Sequence, residues 1–457
     1  MSDVTVRGGA NGIDAKFEDL LAEADVVASA AEHVLGIALH SHGLLANPDI
    51  LASAVLDPLG AARFEAALLA ALDGRAGLSA VGTELEVQAV RERFAVHSYR
   101  ALESALTKAN ESLRWTRGAV VGATLPLWIL PATAVAGTYW VGDSLLGGDP
   151  GADLEVLLLN HPGLVDEIVG SAPGLLTALE LPLELVGVDP VLTLQDASAQ
   201  LGLMFPNGTG SARPVGPPQR VPAARDVREL LADLSTRNND TAERVDAGGL
   251  PVIDLRKVTH LDGTVAWIVD LPGTSQWTGP GGHANPADTA GNLASMAGVA
   301  SAYQQAIEKA LQQAGVARNE DILLVGHSQG GMVAAQTAVD LVRQGYQAPH
   351  VLTVASPIAT TAIPTSVQVL SLENSADIVP HLDGADNPAS AHQLTVTFTQ
   401  QYDTISANHG LGAYRTGAQA VDSSTNPSIA AWRRDLAARF LGEDATVTMM
   451  VFEVYRS

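Results

Sequence analysis

The chain has 457 residues, of which 47% are hydrophobic and 17% are charged, and its formal net charge is −24. This length favours two or three domains, and the composition is typical of a globular chain. The acidity argues against a nucleic-acid partner, because binding to a phosphate backbone depends on patches of Lys and Arg. The chain contains no cysteine, which excludes disulfides, thiolate metal sites and cysteine nucleophiles.

The first part of the chain has the pattern of amphipathic helices. Apolar residues recur at three- and four-residue steps between Ile13 and Ala38, and similar stripes follow in residues 61–74 and 87–105. We therefore predict an all-helical N-terminal domain over residues 1–117. The acidic start lacks the basic and apolar regions of a Sec signal peptide, so none is expected.

A charge-free stretch, residues 118–142, follows this helical domain. It is long enough to cross a bilayer, which takes roughly 20 apolar residues. Pro126 and Pro131 interrupt it, and both would break a spanning helix. We therefore interpret residues 118–204 as an apolar helical region that is buried or touches a membrane peripherally through residues 118–142. A true membrane span is the alternative.

The pattern changes again in the second half of the chain. Residues 205–250 are rich in Pro and Gly at their start and are predicted to form a linker with a short helix. Beyond them, apolar strands alternate with helices, which predicts an α/β domain over residues 251–457 with a mostly parallel sheet covered on both faces. We expect an antiparallel hairpin turning at Asp262-Gly263, and this hairpin and the last strand as the sheet edges. One long helix is predicted from Leu293 to Ala314.

The sequence Gly326-His327-Ser328-Gln329-Gly330 lies between an apolar strand and a helix. It fits the G-x-S-x-G nucleophile elbow, in which a serine occupies a strained turn and the glycines avoid steric collisions. The following helix would direct its N-terminal N–H groups towards a developing oxyanion. Ser328 is therefore the predicted nucleophile. The alternative is an ordinary strand-to-helix connection that contains a serine.

A nucleophilic serine needs a base and an orienting acid, which in this class of fold follow it in the order Asp and then His. Asp377 comes directly after an apolar strand, and the carboxyl ends of parallel strands gather at one edge of a sheet. His409 lies in a loop after the next strand, beside a glycine. We predict Asp377 as the acid and His409 as the base. The remaining candidates are Asp383, Asp386 and Asp403 for the acid, and His381 and His392 for the base.

The oxyanion hole requires two backbone donors. One is the N–H of Gln329, the residue after the nucleophile, and the other is expected in the loop after an early strand. Thr274, which follows Pro272 and Gly273, is the predicted second donor. The same residues also suit an ordinary type II turn with Gly273 at its positive-φ position, and the two interpretations are compatible.

The region from about residue 252 to 414 resembles the fungal-type (class 3) lipase family of α/β-hydrolases. The resemblance depends on four motifs, which read "DLPGTSQW", "GHSQGG", "TVASPIA" and "NSADIVPHL" in this chain. Two positions depart from the family pattern, since Pro272 replaces an arginine and Gln329 replaces an apolar residue. The resemblance implies an α/β-hydrolase fold, a Ser328–Asp377–His409 triad and a lid after the oxyanion turn.

The predicted lid covers the stretch from Gln276 to Asn292 and includes Trp277, and a rigid surface loop is the alternative. Trp277, Ser275 and His327 are the residues predicted to lie near the substrate. From the elbow geometry alone, we expect the His327 side chain to point away from the serine into the sheet, as a hydrogen-bonded core residue.

A second, shorter likeness concerns the N-terminal helices. The pattern "YRALE", with Tyr99 and Glu103, is similar to the targeting motif of type VII secretion substrates, and it arises by chance on many helices. The expected location is therefore cytoplasmic or exported by such a route, with membrane association as a further alternative.

Together these features predict a serine hydrolase that cleaves carboxylic esters, with lipid-like substrates and without a metal or organic cofactor. A thioesterase or a phospholipase A with the same triad is one alternative. A hydrolase fold without catalysis, serving as a secreted or membrane-associated binding protein, is the other.

Overall fold

A computed structural model describes residues 4–9, 13–98, 100, 193–203, 205–277, 283–442 and 444–457. The chain divides into two compact units, residues 13–109 and residues 1–12 with 110–457. We call the described part of the first, residues 13–98, the helical unit. The described part of the second, residues 4–9 and 193–457, is the sheet domain.

The helical unit contains four helices, as its amphipathic pattern predicts. They are α1 (Ile13–His42), α2 (Pro48–Leu56), α3 (Pro58–Asp73) and α4 (residues 78–98). The starts of α2 and α3 are encoded locally: Asn47 and Asp57 accept hydrogen bonds from the first turn, and a proline occupies the first helical position of each.

Small residues form the contact between α1 and α4. Ala24, Ala31 and Ala38 are buried at seven-residue steps on α1, and Ala89 and Val96 are buried at the same spacing on α4. Gly82 continues the α4 series, and a Cβ there would collide with the Leu35 side chain. Because small side chains allow two helices to approach closely, this seam brings the two backbones together, with the Leu35 side chain packed against Gly82.

The sheet domain is built on a ten-stranded sheet. The strands are β1 (Thr5–Gly8), β2 (Gly210–Pro214), β3 (Gln219–Val221), β4 (Val252–Thr259), β5 (Val265–Leu271), β6 (Asp321–His327), β7 (Gln347–Val354), β8 (Gln368–Asn374), β9 (Gln393–Phe398) and β10 (Thr446–Arg456). Their order is β1-β9-β8-β7-β6-β5-β4-β10-β2, and β3 also pairs with β10.

The five central strands, β5 to β9, are parallel, and all other pairings are antiparallel. The predicted hairpin between β4 and β5 is present, with Gly263 at a φ of 85° in its turn. The prediction that the hairpin and the last strand form the edges is wrong. β10 lies inside the sheet because β2 and β3 cover one side of it, and β1 covers β9 at the opposite end.

Helices cover both faces of this sheet. They are α5 (Leu194–Gly202), α6 (Val227–Asp246), α7 (Thr289–Met296), α8 (Ala302–Ala314), α9 (Gln329–Arg343), α10 (Ile405–His409), α11 (Leu411–Ser423) and α12 (Pro427–Phe440). Alternate residues of β6 enter the two cores: Ile322 and Leu324 pack with α8 and α9, and Leu323 and Val325 pack with α6, α11 and α12. A strand buried on both faces therefore needs a continuous apolar run.

Three elements differ from the predictions. Residues 205–250, predicted to be a linker with a short helix, contribute β2, β3 and the 20-residue α6 to the sheet domain. The single helix predicted from Leu293 to Ala314 is two helices, because Gly298 adopts a φ of 69° and Ser301 caps the start of α8. His409, predicted in a loop, ends the short helix α10, which Thr404 caps.

Among the described residues, no helix is both long and apolar enough to cross a membrane. The stretch 118–142, predicted to be buried or to touch a membrane, lies outside the described residues, as does most of the region 118–204.

Candidate active site

Ser328 lies between the carboxyl end of β6 and the start of α9, and its backbone is strained. Its φ of 55° and ψ of −123° lie outside the regions that L-residues favour. Ser328 and Ala355 are the two non-glycine residues with positive φ in the described part of the chain. The N–H of Ser328 donates to the carbonyl of Val354, 2.8 Å away, which holds the turn against β7. Such strain persists where surrounding structure enforces it, which is typical of functional turns.

The glycines around this serine are required sterically. A Cβ at Gly326 would collide with the backbone of Gly330, and a Cβ at Gly330 would collide with the carbonyl of Leu271. A Cβ at Gly331 would meet the Ser356 side chain. The predicted steric role of the two elbow glycines, Gly326 and Gly330, is thus confirmed, and Gly330 also brings the start of α9 against the end of β5.

Asp377 and His409 are brought together, although 32 residues separate them. His409 Nδ1 lies 2.8 Å from Asp377 Oδ2. The carboxylate is fully buried, and the imidazole retains about a fifth of its exposed surface (21%). Asp377 also accepts hydrogen bonds from the Tyr414 hydroxyl at 2.7 Å and from the backbone N–H of Val379 at 3.0 Å. These bonds fix the carboxylate, and the carboxylate fixes the imidazole.

Tyr414 and Asn374 support this pair. Burial, and then the nearby Asp377, raise the pKa of Tyr414 well above its ordinary value, so the hydroxyl stays neutral and can donate. Asn374 Nδ2 donates to the carbonyls of Gln400, at 2.7 Å, and Asn408, at 3.2 Å. The amide of Asn374 therefore joins β8, the strand that precedes Asp377, to the end of α10, which carries His409.

His327 is buried and hydrogen-bonded, as predicted, but its partner is the other histidine and not the sheet. Its Nε2 lies 2.9 Å from the carbonyl of His409, and the two ring centroids are 4.8 Å apart. Burial, and then the proximity of His409, lower the pKa of His327 to about 3. The ring is therefore neutral at ordinary pH. Its Nε2–H donates to the His409 carbonyl and so helps to hold the His409 backbone in place.

The turn Pro272-Gly273-Thr274 lies at the carboxyl end of β5 and is held from three sides. The Tyr303 hydroxyl donates to the Pro272 carbonyl at 3.1 Å, and the Gly273 N–H donates to Asn238 Oδ1 at 3.3 Å. Asn292 Nδ2 donates to Thr274 Oγ1 at 3.0 Å. A Cβ at Gly273 would lie 3.0 Å from Ser328 Cβ, so the turn directly adjoins the predicted nucleophile.

The two predicted oxyanion donors are free to bind. Among the described residues, neither the N–H of Thr274 nor that of Gln329 has an acceptor, whereas the neighbouring N–H of Gly273 is bound to Asn238. Gln329 is the first residue of the 15-residue α9, so its N–H lies at the positive end of the helix dipole. The arrangement can therefore stabilise negative charge on an oxygen beside Ser328.

The described hydrogen bonds do not include one between the Ser328 hydroxyl and the His409 imidazole. In enzymes without bound substrate, the bond between nucleophile and base is often long and shortens only in the reacting complex. The pairing of His409 with Asp377 and the strained turn of Ser328 are both formed in the structure.

The remaining predicted residues lie around this centre. The Ser275 hydroxyl accepts a hydrogen bond from Asn285 at 3.0 Å and lies 3.3 Å from the carbonyl of Ala287, so it closes the base of the loop that follows. The Trp277 side chain is 79% exposed, next to residues 278–282, which lie outside the described range. The lid predicted there remains a prediction.

The alternative acids and bases make contacts elsewhere. Asp383 accepts from the N–H of Ala359 at 2.7 Å, and Asp386 pairs with Arg7 at 2.7 Å on the exposed edge of the sheet. His392 Nε2 lies 3.2 Å from the carbonyl of Ile363. Within the described part of the chain, no group of three or more His, Asp or Glu side chains is arranged to hold a metal ion.

Sequence reasoning missed the polar residues that hold the site. These are Asn238, which accepts from the Gly273 N–H, Asn292, which donates to Thr274, and Asn408, whose carbonyl accepts from Asn374. Each lies far along the chain from its partner or within a segment that the hydrophobic pattern does not mark, so no local signal separates them from other polar residues.

A serine on a strained strand-to-helix turn, with a carboxylate-paired histidine at the same edge of an α/β sheet, is the arrangement that serine hydrolases use. The family model described as lipase (class 3) matches residues 262–387, which lie within the region where the sequence motifs predicted a resemblance to that family. The match includes Thr274, Ser328 and Asp377, and His409 lies beyond it. No curated protein and no solved structure matches the chain.

Proposed function

We propose that the chain is a serine hydrolase that cleaves carboxylic ester bonds of lipid-like substrates. The observation that carries the proposal is the 2.8 Å hydrogen bond between His409 and the buried Asp377, at the same sheet edge as the strained Ser328. The class 3 lipase match over residues 262–387 supports the choice of a lipase-type ester as substrate.

In the proposed reaction, the Ser328 hydroxyl attacks the ester carbonyl carbon while His409 accepts its proton. The N–H groups of Thr274 and Gln329 stabilise the resulting oxyanion, and loss of one such donor costs roughly 3–4 kcal/mol in known enzymes. His409 then protonates the leaving alcohol, and an acyl–Ser328 ester remains. Water, deprotonated by His409, attacks this ester, and the acid is released with Ser328 restored.

Asp377 keeps the imidazole in the tautomer with its proton on Nδ1, so that Nε2 can act as the base. The bonds from Tyr414 and Val379 leave the carboxylate no freedom to turn away from His409. A thioesterase or phospholipase A would use the same residues, since these reactions differ in the acyl or leaving group and not in the triad.

The proposal is tested by labelling with a fluorophosphonate probe, which reacts with activated serines, and by hydrolysis of p-nitrophenyl esters. We expect the wild-type chain to be labelled and Ser328→Ala to be unlabelled, with kcat lower by at least about 10³-fold, because the triad acts as a unit. Ser423→Ala is a suitable control, since Ser423 is exposed and its hydroxyl donates to the Gln419 carbonyl one turn earlier in α11. Equal hydrolysis by Ser328→Ala and wild type would disprove the proposal.

The substrate class is tested separately with an ester series of increasing acyl length. A lipase-type enzyme should show kcat/KM rising from acetyl to longer acyl groups, because a longer chain buries more apolar surface in the transition state. A matched thioester series and a phosphatidylcholine substrate distinguish the thioesterase and phospholipase alternatives.

A further inference from the structure

The loop that follows the oxyanion turn is closed at its far end by residues 283–288, which we call the loop stem. The Ser275 N–H donates to the Ala287 carbonyl at 2.9 Å, and Gln276 pairs with Asp288 in a parallel bridge. Since Ser275 directly follows Thr274, the position of the loop stem determines the position of one proposed oxyanion donor.

Arg456, near the end of β10, binds this loop stem. Its guanidinium makes two hydrogen bonds to the carboxylate of Asp288, at 2.8 and 2.9 Å. Its backbone N–H donates to the Ala284 carbonyl at 2.7 Å, and Nη1 also lies 3.3 Å from the His283 carbonyl. Both charged side chains are buried, with 4% of Arg456 and none of Asp288 exposed. A buried two-point ion pair of this kind is rigid as well as strong.

Gln329 connects the same loop stem to the second proposed donor. Its Nε2 donates to the backbone carbonyl of Asp288 at 3.0 Å, and its side chain is almost fully buried. Gly291 leaves the room for this amide, because a Cβ there would collide with Nε2. The position where the chain departs from the family's apolar residue is thus the one that reaches the loop stem.

We propose that Arg456 is a positioning residue for the oxyanion hole. Through Asp288 it holds the loop stem, which binds Ser275 beside Thr274 on one side and the Gln329 side chain on the other. One buried arginine at the carboxyl end of β10 thereby sets the distance between the two N–H donors. The inference rests on the proposed function, since it assigns a role within that same site.

The main test is Arg456→Gln. A neutral glutamine cannot make the charged, two-point contact with Asp288, so the loop stem should shift. We expect kcat to fall about 10- to 100-fold with little change in KM, because the oxyanion bonds strengthen in the transition state and not in the bound substrate. Affinity for a trifluoromethyl ketone, which forms a tetrahedral adduct with an active serine, should fall by a similar factor.

Arg244→Gln is the matched control. Arg244 also binds a carboxylate of β10, Glu453, at 2.8 Å, but the structure gives it no contact with the loop stem. We expect its kcat to remain within twofold of the wild type. Arg456→Lys should recover part of the kcat, because it restores the charge without the two-point geometry.

Gln329→Leu provides the second variant. It keeps the backbone donor and removes only the bond to Asp288, and it also removes an Oε1 that has no partner among the described residues, so folding should be retained. We expect a kcat loss similar to that of Arg456→Gln, and a double variant whose loss is smaller than the product of the two. If Arg456→Gln does not fold, Gln329→Leu and Arg456→Lys carry the test.

Three results would overturn the inference: a folded Arg456→Gln with wild-type kcat, an equal kcat loss in Arg244→Gln, or independent effects in the double variant. If the wild type itself is not labelled by fluorophosphonate, the proposed function fails first. Amide hydrogen exchange then decides the positioning role, since unchanged protection of residues 274–276 and 329–331 in Arg456→Gln would refute it as well.

Discussion

The helical unit and the sheet domain bury their apolar side chains in different ways. In the helical unit, the contact between α1 and α4 depends on alanines and a glycine, and large apolar side chains such as Val55, Leu56 and Phe94 remain more than 70% exposed. The sheet domain encloses two continuous cores, one on each face of the sheet. A helix pair has a single narrow line of contact, whereas a covered sheet buries whole faces.

The two regions also differ in whether they bury charged side chains. Among residues 16–98, whose burial the structure describes, no polar or charged residue is buried as a whole. The sheet domain buries Asp254, Asp270 and Arg256 between neighbouring strands, and it buries Asp377 at the site. Buried charges are costly unless paired, and Asp377 is paired with His409, so the comparison teaches that the sheet domain is the region in which polar groups are held in a fixed geometry.

The largest expected effect concerns the buried acid of the sheet domain. Asp377→Asn should lower kcat by about 10³- to 10⁴-fold, because an asparagine can hold the imidazole in the wrong tautomer while preserving the geometry. The asparagine oxygen can still accept from Tyr414, so the free energy of unfolding should change little. Ester hydrolysis and thermal unfolding measure the two quantities.

Asp386→Asn is the matched control for this variant. Asp386 is an alternative acid by sequence, but its side chain is 72% exposed and pairs with Arg7. We expect less than a twofold change in kcat. A large loss in this control, with a small one in Asp377→Asn, would reverse the assignment of the acid.

The next prediction concerns the stability effect of Glu373, an acidic residue buried near Asp377, and this effect should be smaller. Burial, and then Asp383 and Asp386, raise the pKa of Glu373 to about 8. Between about pH 4.5 and 8, the folded state therefore binds more protons than the unfolded state. The contribution of Glu373 to the free energy of unfolding is present below this window and is lost as the pH rises through it. Glu373→Gln should be more stable than wild type at pH 9 by about 2–3 kcal/mol, since one pKa unit corresponds to about 1.4 kcal/mol and the side chain is not completely shielded.

The Glu373→Gln difference should shrink towards zero at pH 5, where wild-type Glu373 is protonated in the folded state. The glutamine oxygen can still accept from Asn387 Nδ2, which contacts Glu373 at 2.6 Å, so the comparison isolates the charge. Denaturant unfolding at the two pH values measures it. An equal difference at pH 5 and pH 9 would contradict the assigned cause.

The smallest expected effect concerns a substitution that should change the stability of the helical unit and leave the sheet domain unchanged. Ala31→Leu should destabilise the helical unit by about 1–2 kcal/mol, because a larger side chain cannot fit the seam between α1 and α4. The exposed Ala30→Leu is the matched control and should change stability by less than about 0.5 kcal/mol. Amide hydrogen exchange reports the two regions separately, and kcat should stay unchanged in both variants. A loss of kcat in Ala31→Leu alone would show that the seam influences the site.

Local patterns were enough for most elements and for the site residues close to them. The wholly apolar Ile322–Val325, the Asp262-Gly263 turn and the glycines around Ser328 each require a particular backbone, so strand, hairpin and elbow followed from adjacent residues. The triad order and the positions of Asp377 and His409 after successive strands predicted them as a pair, and the hydrogen bond between them agrees with that prediction.

Other features depended on partners that no local pattern names. The single helix expected from Leu293 to Ala314 is broken because Gly298 and Ser301 favour a turn over a continuous apolar stripe. Residues 205–250 have the composition of a linker, yet β2 becomes a strand because β10 offers it an unpaired edge. Strand pairing between distant segments is decided by which edges remain free once the core has formed.

The amino-acid sequence by itself determined the periodic helices, the apolar strands and the strained turn at Ser328, because each is set by interactions between residues a few positions apart. Only the tertiary structure decided the sheet order, the inward position of β10, and the contacts of Arg456, Asp288 and Gln329 around the oxyanion turn. Those contacts join residues that are 41 and 168 positions apart, and their geometry exists only after both cores have closed around them.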